Sequence, residues 1–363
     1  MRCKTVRSMV FLSLLAAVLG AGVSPTQAAD KVKNVIVLVP DGCSSSVFTA
    51  ARWVKGEPLA IDGYASGMLQ TWMANSIITG SAAAATAFAT GEKTSVRFLG
   101  VGPRPDDVLS TFPAPPAEVQ YAPIASVLEG AKVMGKATGL VATSRITHAT
   151  PAAFAVHIHD RGLDNEIMEH IVYNGVDVVF GGGHRHLIPA DQGGKRTDGE
   201  NLETVLVDRG YEFVTTRDEL MSASSDKVWG MFASSHMEAD MDRAEFAPTE
   251  PSLAEMTTKA IEILSRDSDG FFLMVEGSQI DWAGHNNDPI YMITDTLAFD
   301  EAFQAAVDFA VSDGDTLVIA FPDHNTGAMA IGHNYTQNSY TATPVEDLTG
   351  PLAGMRISSF GVA

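Results

Sequence analysis

Short, mostly apolar runs rich in β-branched residues recur along this chain, separated by stretches with helical periodicity. The clearest runs cover residues 34–39, 138–143, 176–180, 271–275 and 315–321. Such short continuous runs are typical of strands that are buried on both faces of a parallel sheet. Because helical patterns alternate with them, we predict an α/β fold with a doubly wound, mostly parallel central sheet and helices on both faces.

The stretches between these runs complete the expected order of elements. A further strand is predicted over residues 66–72, and an alanine-rich helix follows Ser81. A Pro-rich, polar segment over residues 99–116 indicates a surface loop. The region around His236 is less patterned and is interpreted as a solvated surface, with metal binding by His236 and the acids that follow it as the alternative. Helical spacing of apolar positions predicts helices over residues 124–134, 152–161, 163–173, 200–207 and 253–265.

The composition is that of a globular protein and limits the partners that the chain can have. It has 363 residues, of which 45% are hydrophobic and 19% charged, which is enough to bury a large core. Its formal charge of −20 at pH 7 argues against a nucleic-acid groove and against binding to anionic membranes. An anionic substrate would therefore need local positive charge, which bound metal ions can provide.

The N-terminus has the pattern of an export signal. Three basic residues precede an apolar run over residues 9–19, and small residues surround a cleavage site after Ala28. Because the run is too short to span a bilayer of about 30 Å, we expect a signal peptide over residues 1–28, a periplasmic or secreted location and no stable membrane anchor. Removing the signal would change the formal charge from −20 to −23 and leave Cys43 as the single cysteine, which excludes an internal disulfide.

The junction between a polar turn and the alanine-rich helix is the first candidate for chemistry. Ser81 is predicted to lie at the N-terminus of that helix, within the segment from Ile78 to Gly91. Unpaired backbone N–H groups and the helix dipole favour negative charge there, so a serine oxygen could carry a phosphoryl group. The alternative is that Ser81 only caps the helix.

Polar residues follow the ends of two predicted strands. Asp41 comes directly after the first strand, and His148 and Thr150 follow the strand over residues 138–143. Ligands of open α/β sheets bind at the carboxyl ends of the strands, so all three are candidate site residues, although each could instead be a cap or turn residue. Arg161 could grip two phosphate oxygens or form a surface ion pair with the aspartate beside it.

Two later strands also end in potential metal ligands. Glu276 ends one strand, and Asp281 and His285 follow at the spacing that places two side chains on one face of a helical turn. Asp281 and His285 can therefore reach the same metal ion. Asp323 and His324 follow the last predicted strand, and both can reach one metal only if the chain turns after them.

Taken together and in this order, the motifs resemble those of the bacterial alkaline phosphatases, from about Asn34 to Thr326. The resemblance rests on the segment Thr79–Ala83 with its alanine-rich helix, Asp41-Gly42, His148-Ala149-Thr150-Pro151, Glu276–Asp281 with His285, and Asp323-His324. The joint pattern is more specific than any one of these motifs. It implies a secreted, metal-dependent phosphomonoesterase acting on small phosphate monoesters. The sequence does not fix the oligomeric state and leaves a homodimer open.

The resemblance also implies a role for each candidate residue. Ser81 would be the nucleophile that becomes a phosphoserine, and Arg161 would bind the phosphate oxygens. The implied cofactors are two Zn²⁺ ions and one Mg²⁺ ion, and His148 and Trp282 stand at two positions near the metals that vary across the family. The implied ligands are Asp41, Asp323 and His324 for one zinc, Asp281 and His285 for the other, and Asp41, Thr150 and Glu276 for magnesium.

This sequence departs from the family pattern at several points. Gly80 stands before the nucleophile where the family usually has aspartate, so a carboxylate that helps to hold the phosphate-binding arginine is missing. Pro322 occupies a position where a small residue is usual. The family's remaining zinc histidine, near the C-terminus, has no match here. We therefore expect a truncated alkaline-phosphatase-like domain over residues 29–363, with an insertion beginning near residue 331.

Other interpretations of the C-terminal region and of the function stay open. A second alignment makes residues 355–361 the last strand, with Leu348 near the place of the missing histidine, and His333 is a possible substitute ligand. The protein could be a non-catalytic metal- or phosphate-binding remnant. It could also be a related metallohydrolase that acts on phosphodiesters or sulfate esters.

Overall fold

Seven strands form one parallel sheet in a computed structural model that describes residues 32–109 and 117–332 and the backbone of 356–358. The strands are β1 (Asn34–Pro40), β2 (Ala137–Arg145), β3 (Val178–Gly182), β4 (Glu212–Val214), β5 (Val228–Ala233), β6 (Phe271–Gly277) and β7 (Thr316–Ala320). Their order in the sheet is β4-β5-β3-β2-β6-β1-β7. Every neighbouring pair is parallel, which confirms the predicted α/β fold.

Helices connect the strands and cover the sheet. They are α1 (Ser45–Lys55), α2 (Ser81–Thr90), α3 (Val127–Val133), α4 (Ala149–Ala152), α5 (Asp164–Asn174), α6 (Leu202–Asp208), α7 (Arg217–Ser222), α8 (Asp240–Phe246), α9 (Leu253–Leu264), α10 (Gln279–Asn286) and α11 (Pro289–Asp313). The helix predicted over 152–161 is much shorter than expected, because the chain leaves helical geometry after α4. The strand predicted over 66–72 is wrong, since these residues form no ladder and most are exposed.

The hydrophobic core has two layers, one on each face of the sheet. Alternate residues of β1 point into different layers, because successive strand side chains face opposite sides. Ile36 and Leu38 pack with residues of α9 and α11, whereas Val37 and Val39 pack with residues of α2 and α5. The sheet is therefore covered by helices on both faces, as predicted for a doubly wound fold.

Two short strands lie apart from the central sheet. β8 (Ala330–Gly332) pairs antiparallel with β9 (Arg356–Ser358). The backbone of β9 thus forms a two-stranded ladder that is separate from the seven-stranded sheet, and β9 lies within the last strand that the second alignment predicts over residues 355–361. The described residues from Lys33 onward belong to one compact unit.

Several predictions concern segments outside the described residues. The signal peptide over 1–28 lies there, as do His333 and Leu348 and nearly all of the insertion expected to begin near residue 331. The domain boundaries therefore remain predictions. Within the part of the chain that the structure describes, no helix has both the length and the apolar character needed to cross a membrane.

Candidate active site

The candidate residues meet at the carboxyl edge of the central strands. β1 lies between β6 and β7 in the sheet, and β2 lies on the other side of β6. Asp41, Glu276 and Asp323 follow or end three of these neighbouring strands, and all three side chains are buried. Because parallel strands end at the same edge, residues far apart in sequence become neighbours there.

Ser81 is the first residue of α2 and is almost fully buried. Gly80, in extended conformation, is the N-cap, so Ser81 does not cap the helix as the alternative interpretation proposed. Ala82, Ala85 and Ala89 of α2 belong to the same buried cluster as residues of β1, and their small side chains let the helix pack closely against α4. The Ser81 Oγ lies 3.2 Å from Nε2 of His324.

Asp41, Asp323 and His324 form a compact group of potential metal ligands. One ligand atom from each lies within 4.8 Å of the others. The turn after β7, which the sequence predicted, lets both Asp323 and His324 face the same point. The backbone N–H of Gly42 donates to Asp323 Oδ1 at 2.9 Å and fixes that carboxylate. Asp41 Oδ1 and Asp323 Oδ2 are buried without a hydrogen bond among the described residues, and His324 Nε2 lies 3.6 Å from the first and 3.0 Å from the second.

A second group of potential ligands shares Asp41. Ligand atoms of Asp41, His148 and Glu276 also lie within 4.8 Å of one another. The Thr150 hydroxyl lies 3.4 Å from Asp41 Oδ2, so the three residues predicted to bind magnesium (Asp41, Thr150 and Glu276) are close together. Glu276 Oε2 accepts hydrogen bonds from Ser144 at 3.2 Å and from Ser278 at 2.5 Å.

Glu276 has one oxygen that these serines do not reach. Its Oε1 is buried without a hydrogen-bond partner among the described residues. A buried acceptor in this state costs free energy unless a ligand satisfies it. Together with the free oxygens of Asp41 and Asp323, it marks a place where hard cations would fit.

Asp281 and His285 occupy one turn of α10, as predicted. His285 Nε2 lies 3.5 Å from Asp281 Oδ1. Asp281 is buried, whereas about half of the His285 side chain is exposed, so the pair extends from the interior to the surface of the site. The Thr326 hydroxyl contacts Asp281 from the other side, at 2.5 Å.

The electrostatics of the site favour bound cations. Burial, and then the negative charges of Asp323, Asp281 and Glu276, raise the pKa of Asp41 well above its usual range. Burial also raises the pKa of Glu276 to about 7. Buried carboxylates held this close repel one another unless positive charge is placed among them. Metal ions bound by these residues would provide that charge.

Arg161 is held at the site by a histidine and not by an aspartate. Its Nη2 lies 2.6 Å from His148 Nε2, and His148 is buried. Burial and the charge of Arg161 lower the pKa of His148 well below its ordinary value, so His148 is neutral and accepts this hydrogen bond. The alternative of a surface pair with Asp160 is wrong, because Asp160 pairs with Arg97 at 2.6 Å.

His148 belongs to a group of ring side chains that also contains His236 and Trp282. The His236 ring centroid lies 4.2 Å from that of Trp282 and 5.8 Å from that of His148. Arg145 Nη1 lies 2.7 Å from His236 Nε2. The interpretation of His236 as part of a solvated surface is therefore wrong. His236 comes from a loop without periodic pattern, so nothing in the sequence indicated this position.

Other residues of the site also escaped the sequence analysis. Thr326, Ser144 and Ser278 bind predicted metal ligands with their hydroxyl groups. Ser278 stands inside a motif that carried the resemblance, and both Ser278 and Thr326 lie within three residues of a predicted ligand. Proximity to those ligands was the signal that could have found them, whereas Arg145 had no such signal beyond its place at the end of β2.

Comparisons with known proteins identify related sequences and structures. The family model described as alkaline phosphatase matches residues 32–350. Alkaline phosphatase 3 of Bacillus subtilis (strain 168) is 39% identical over 327 residues, which cover 86% of this chain and 65% of that protein. The chain thus spans slightly less than two thirds of the length of this relative.

Solved structures show the same fold. The Thermus thermophilus alkaline phosphatase superposes with a TM-score of 0.74 at 34% identity. The superposition covers 83% of this chain and 61% of the Thermus chain. A mutant of the TAB5 alkaline phosphatase with Mg bound in its M3 site has a TM-score of 0.74 at 30% identity. That superposition covers 92% of this chain and 88% of the TAB5 chain. Because the family model matches most of its length and both structures share its fold, the chain belongs to the alkaline phosphatase family.

Proposed function

We propose that this protein hydrolyses phosphate monoesters through a covalent phosphoserine formed on Ser81. The observation that carries this proposal is the position of Ser81 at the N-terminus of α2, with its Oγ 3.2 Å from His324 in a group of buried carboxylates. Free backbone N–H groups of the first helical turn stabilise negative charge on a phosphoryl group bound there. Membership of the alkaline phosphatase family supports the same reaction.

In the proposed reaction Ser81 alternates between a free and a phosphorylated form. The serine oxygen forms a bond to phosphorus while the bond from phosphorus to the leaving-group oxygen breaks, and the leaving group departs as an alcohol. Water then attacks the phosphoserine, which releases inorganic phosphate and restores the hydroxyl. Ser81 is 5% exposed, so the helix and the surrounding carboxylates limit the access of water to it.

Arg161 is proposed to bind the phosphate oxygens. A guanidinium can donate two parallel hydrogen bonds to a phosphoryl group, which orients phosphorus for attack. The bond to His148 uses Nη2 of Arg161 and leaves its other N–H groups for the substrate. Because His148 is a neutral acceptor, it orients the guanidinium without neutralising its charge.

The residues present fit the metal ions that the resemblance implies. Asp41, Asp323 and His324 would hold one zinc, and Asp281 and His285 contribute to a second. Asp41, Thr150 and Glu276 would hold magnesium through hard oxygen ligands. The free buried oxygens of Asp41, Glu276 and Asp323 support these assignments. Two metals held by these residues would supply the positive charge that activates the attacking oxygen and neutralises the leaving oxygen.

The proposal is tested by trapping the phosphoenzyme. The protein, loaded with zinc and magnesium, is incubated with labelled phosphate ester, quenched in acid and mapped by mass spectrometry. We expect the label on Ser81 and its loss in Ser81→Ala. A label on any other residue would refute the assignment. Monoester turnover far above turnover of a diester and a sulfate ester is expected, whereas metal binding without turnover would identify a non-catalytic protein.

A further inference from the structure

Arg97 has a backbone conformation that an arginine rarely adopts. Its φ is +70°, in the left-handed region, where the Cβ atom of an L-residue raises the free energy of the chain. Glycine takes this conformation without that cost. About half of the Arg97 side chain is exposed, so packing in the core does not explain the arginine. A strained residue of this kind points to a use for its side chain.

The side chain of Arg97 binds the aspartate that precedes Arg161. Its Nη2 donates to Asp160 Oδ1 at 2.6 Å, and its Nε donates to the same oxygen at 3.0 Å. That oxygen also accepts a hydrogen bond of 2.8 Å from the backbone N–H of Gly162. Asp160 and Gly162 flank Arg161 in the chain. The guanidinium of Arg97 therefore fixes the turn that carries the proposed phosphate-binding residue.

The backbone of Arg97 holds the same turn. Its carbonyl oxygen accepts a hydrogen bond of 2.9 Å from the N–H of Arg161. Two residues further along, Leu99 and Ile158 exchange two backbone hydrogen bonds of 2.8 Å as an antiparallel bridge. Arg97 thus contacts the turn at Arg161 through both its main chain and its side chain.

The segment 97–100 is also attached to the helix that carries Ser81. Thr86 of α2 is fully buried, and its hydroxyl donates to the carbonyl oxygen of Phe98 at 3.2 Å and accepts from the N–H of Gly100 at 3.1 Å. Ser81 begins the same helix. The segment therefore links the proposed nucleophile to the turn with the proposed phosphate-binding residue. Fixing two such groups relative to each other reduces the entropy lost when substrate binds.

The charge of Arg161 is available for a ligand. In the part of the chain that the structure describes, Arg161 forms no salt bridge, and its guanidinium contacts the neutral ring of His148 at 2.6 Å. Asp160 is its neighbour in sequence. Adjacent arginine and aspartate residues do pair in this protein, since Arg217 Nη1 lies 3.5 Å from Asp218 Oδ1. A carboxylate released at position 160 could therefore pair with the guanidinium and compete with phosphate for it.

We propose that Arg97 is a positioning residue, which binds Asp160 and so keeps the guanidinium of Arg161 free and oriented for phosphate. This inference rests on the proposed function, because it assumes that Arg161 binds the phosphoryl group. Exposed ion pairs contribute little to the stability of a fold. The side chain of Arg97 should therefore affect phosphate binding and leave the stability of the protein unchanged.

The test measures affinity for inorganic phosphate by calorimetry, with zinc- and magnesium-loaded protein that carries Ser81→Ala to prevent covalent chemistry. Arg97→Gly removes the guanidinium and relieves the backbone strain. We expect phosphate binding to weaken about tenfold, which corresponds to the loss of one charge-assisted hydrogen bond. The midpoint of urea denaturation should not fall, because glycine adopts this φ without strain. Unchanged phosphate affinity in Arg97→Gly would overturn the inference.

The charge of Asp160 distinguishes this role from a purely structural one. In an Asp160→Asn background the amide oxygen can still accept the hydrogen bond from Gly162, but no carboxylate competes for Arg161. There we expect Arg97→Gly to change phosphate affinity by less than about twofold. A loss of about tenfold in this background as well would mean that Arg97 acts through the fold alone, and would overturn the inference.

Gly162→Ala displaces the guanidinium by a different route. A Cβ atom at Gly162 would lie 2.7 Å from Arg97 Nη2, and Gly162 does not have a positive φ. Because Nη2 is the end of a flexible side chain, the chain can accommodate alanine if the guanidinium moves away from Asp160. We expect weaker phosphate binding with little change in the urea midpoint. Full phosphate affinity in Gly162→Ala would count against the inference.

The matched control is Arg217→Gln, which removes another exposed arginine–carboxylate pair. Arg217 follows β4 at the edge of the sheet, and its Nη2 lies 2.6 Å from Glu255 Oε1. Phosphate affinity should stay unchanged in this variant, and a loss equal to that in Arg97→Gly would overturn the inference. Phosphate binding that depends on Arg97 supports the inference even if no phosphoserine forms. No phosphate binding by the parent protein overturns it, whereas failure of the proposed function shows separately as absence of phosphoserine and turnover.

Discussion

The Thr326 hydroxyl donates a hydrogen bond of 2.5 Å to Oδ1 of Asp281. Because the only hydroxyl proton of Thr326 is donated in this bond, its oxygen must be the acceptor in the second hydrogen bond, which joins it to Nδ1 of His324 at 3.1 Å. The Nδ1 atom of His324 therefore carries a proton, and Nε2 is directed toward Ser81, Asp41 and Asp323. One threonine thus orients predicted ligands of two different zinc ions.

Removing the Thr326 hydroxyl should lower the affinity for zinc more than it lowers the free energy of unfolding. Groups that orient metal ligands typically contribute 10- to 100-fold in metal affinity. We expect Thr326→Val to lower zinc affinity by about this factor, measured by competition with a chromophoric chelator, while Thr326→Ser retains most of it. Equal zinc affinity in the valine and serine variants would contradict the role of the hydroxyl.

Gly42 allows the chain to pass closely behind the same group of residues. Its φ is +70°, and a Cβ atom there would lie 2.8 Å from both the Cα of Asp281 and the Oγ1 of Thr326. Gly91, at the end of α2, has a similar φ of +79° but open space around a Cβ. The two glycines therefore share the backbone strain of an alanine substitution and differ in the steric clash.

Gly91→Ala is expected to lower the free energy of unfolding by about 1 kcal/mol, because a positive φ disfavours alanine. Gly42→Ala should lower it by about 3 kcal/mol, because the clash adds to that strain. Urea denaturation of both variants at one pH measures the difference. Equal losses would show that the backbone around Gly42 relaxes without cost.

The sequence predicted the central strands well because their runs are short, apolar and buried on both faces. β4 escaped prediction because it has three residues at the edge of the sheet, and β5 because Gly230 interrupts its apolar run. The helix α11 also escaped, since its buried face includes the polar residues Asp295, Thr296 and Asp300, which weakens the contrast between an apolar and a polar face.

The metal ligands of the candidate site could also be predicted from the sequence, because they follow recognisable strands. Potential ligands such as Asp41 and Asp323 follow directly after recognisable strands, so topology alone brings them together. His236 lies in an unpatterned loop, and its contacts to Arg145 and Trp282 join segments that are distant in sequence. Sequence pattern has no signal for such contacts, because they depend on how loops pack in three dimensions.

His157 and Glu129 form a partly buried pair whose strength should depend on pH. His157 Nε2 lies 2.9 Å from Glu129 Oε1, and its Nδ1 lies 2.7 Å from the carbonyl oxygen of Gly100. Both ring nitrogens face acceptors, so only the protonated ring can donate both hydrogen bonds. The hydrogen bond to Glu129 raises the pKa of His157 above its ordinary value of 6.5. Burial alone would raise the pKa of Glu129, but the contact with His157 lowers it below 4.5.

These pKa shifts define the pH range in which the pair stabilises the fold. The contribution of His157 is complete below pH 6.5 and is lost as the pH rises through its folded pKa. The contribution of Glu129 is complete above pH 4.5 and is lost as the pH falls through its folded pKa. A double-mutant cycle with His157→Gln and Glu129→Gln should give a coupling free energy of about 1 kcal/mol at pH 6 that declines toward pH 9. The same coupling at both pH values would contradict the prediction.

The absence of a carboxylate before Ser81 should affect how strongly the protein holds phosphate. Gly80 has an ordinary extended backbone, with φ −112° and ψ 166°, and a Cβ there would meet no atom within 4 Å. An aspartate therefore fits at this position without strain. Arg161 now donates to His148, a neutral acceptor, and such hydrogen bonds are weaker than those to a carboxylate.

We expect Gly80→Asp to strengthen inhibition by inorganic phosphate and to lower kcat. The new carboxylate should pair with the Arg161 guanidinium and fix it in the orientation that binds phosphate, and slower product release would then limit turnover. Its negative charge could instead repel phosphate, but pairing with the guanidinium reduces that repulsion.

The difference between a charged and a neutral hydrogen bond predicts a decrease of about tenfold in the phosphate inhibition constant. Gly80→Asn, which has similar size and no charge, is the control and should change the constant much less. If Gly80→Asp leaves phosphate inhibition unchanged or weaker, the neutral contact with His148 already orients Arg161 fully, and the glycine does not loosen it.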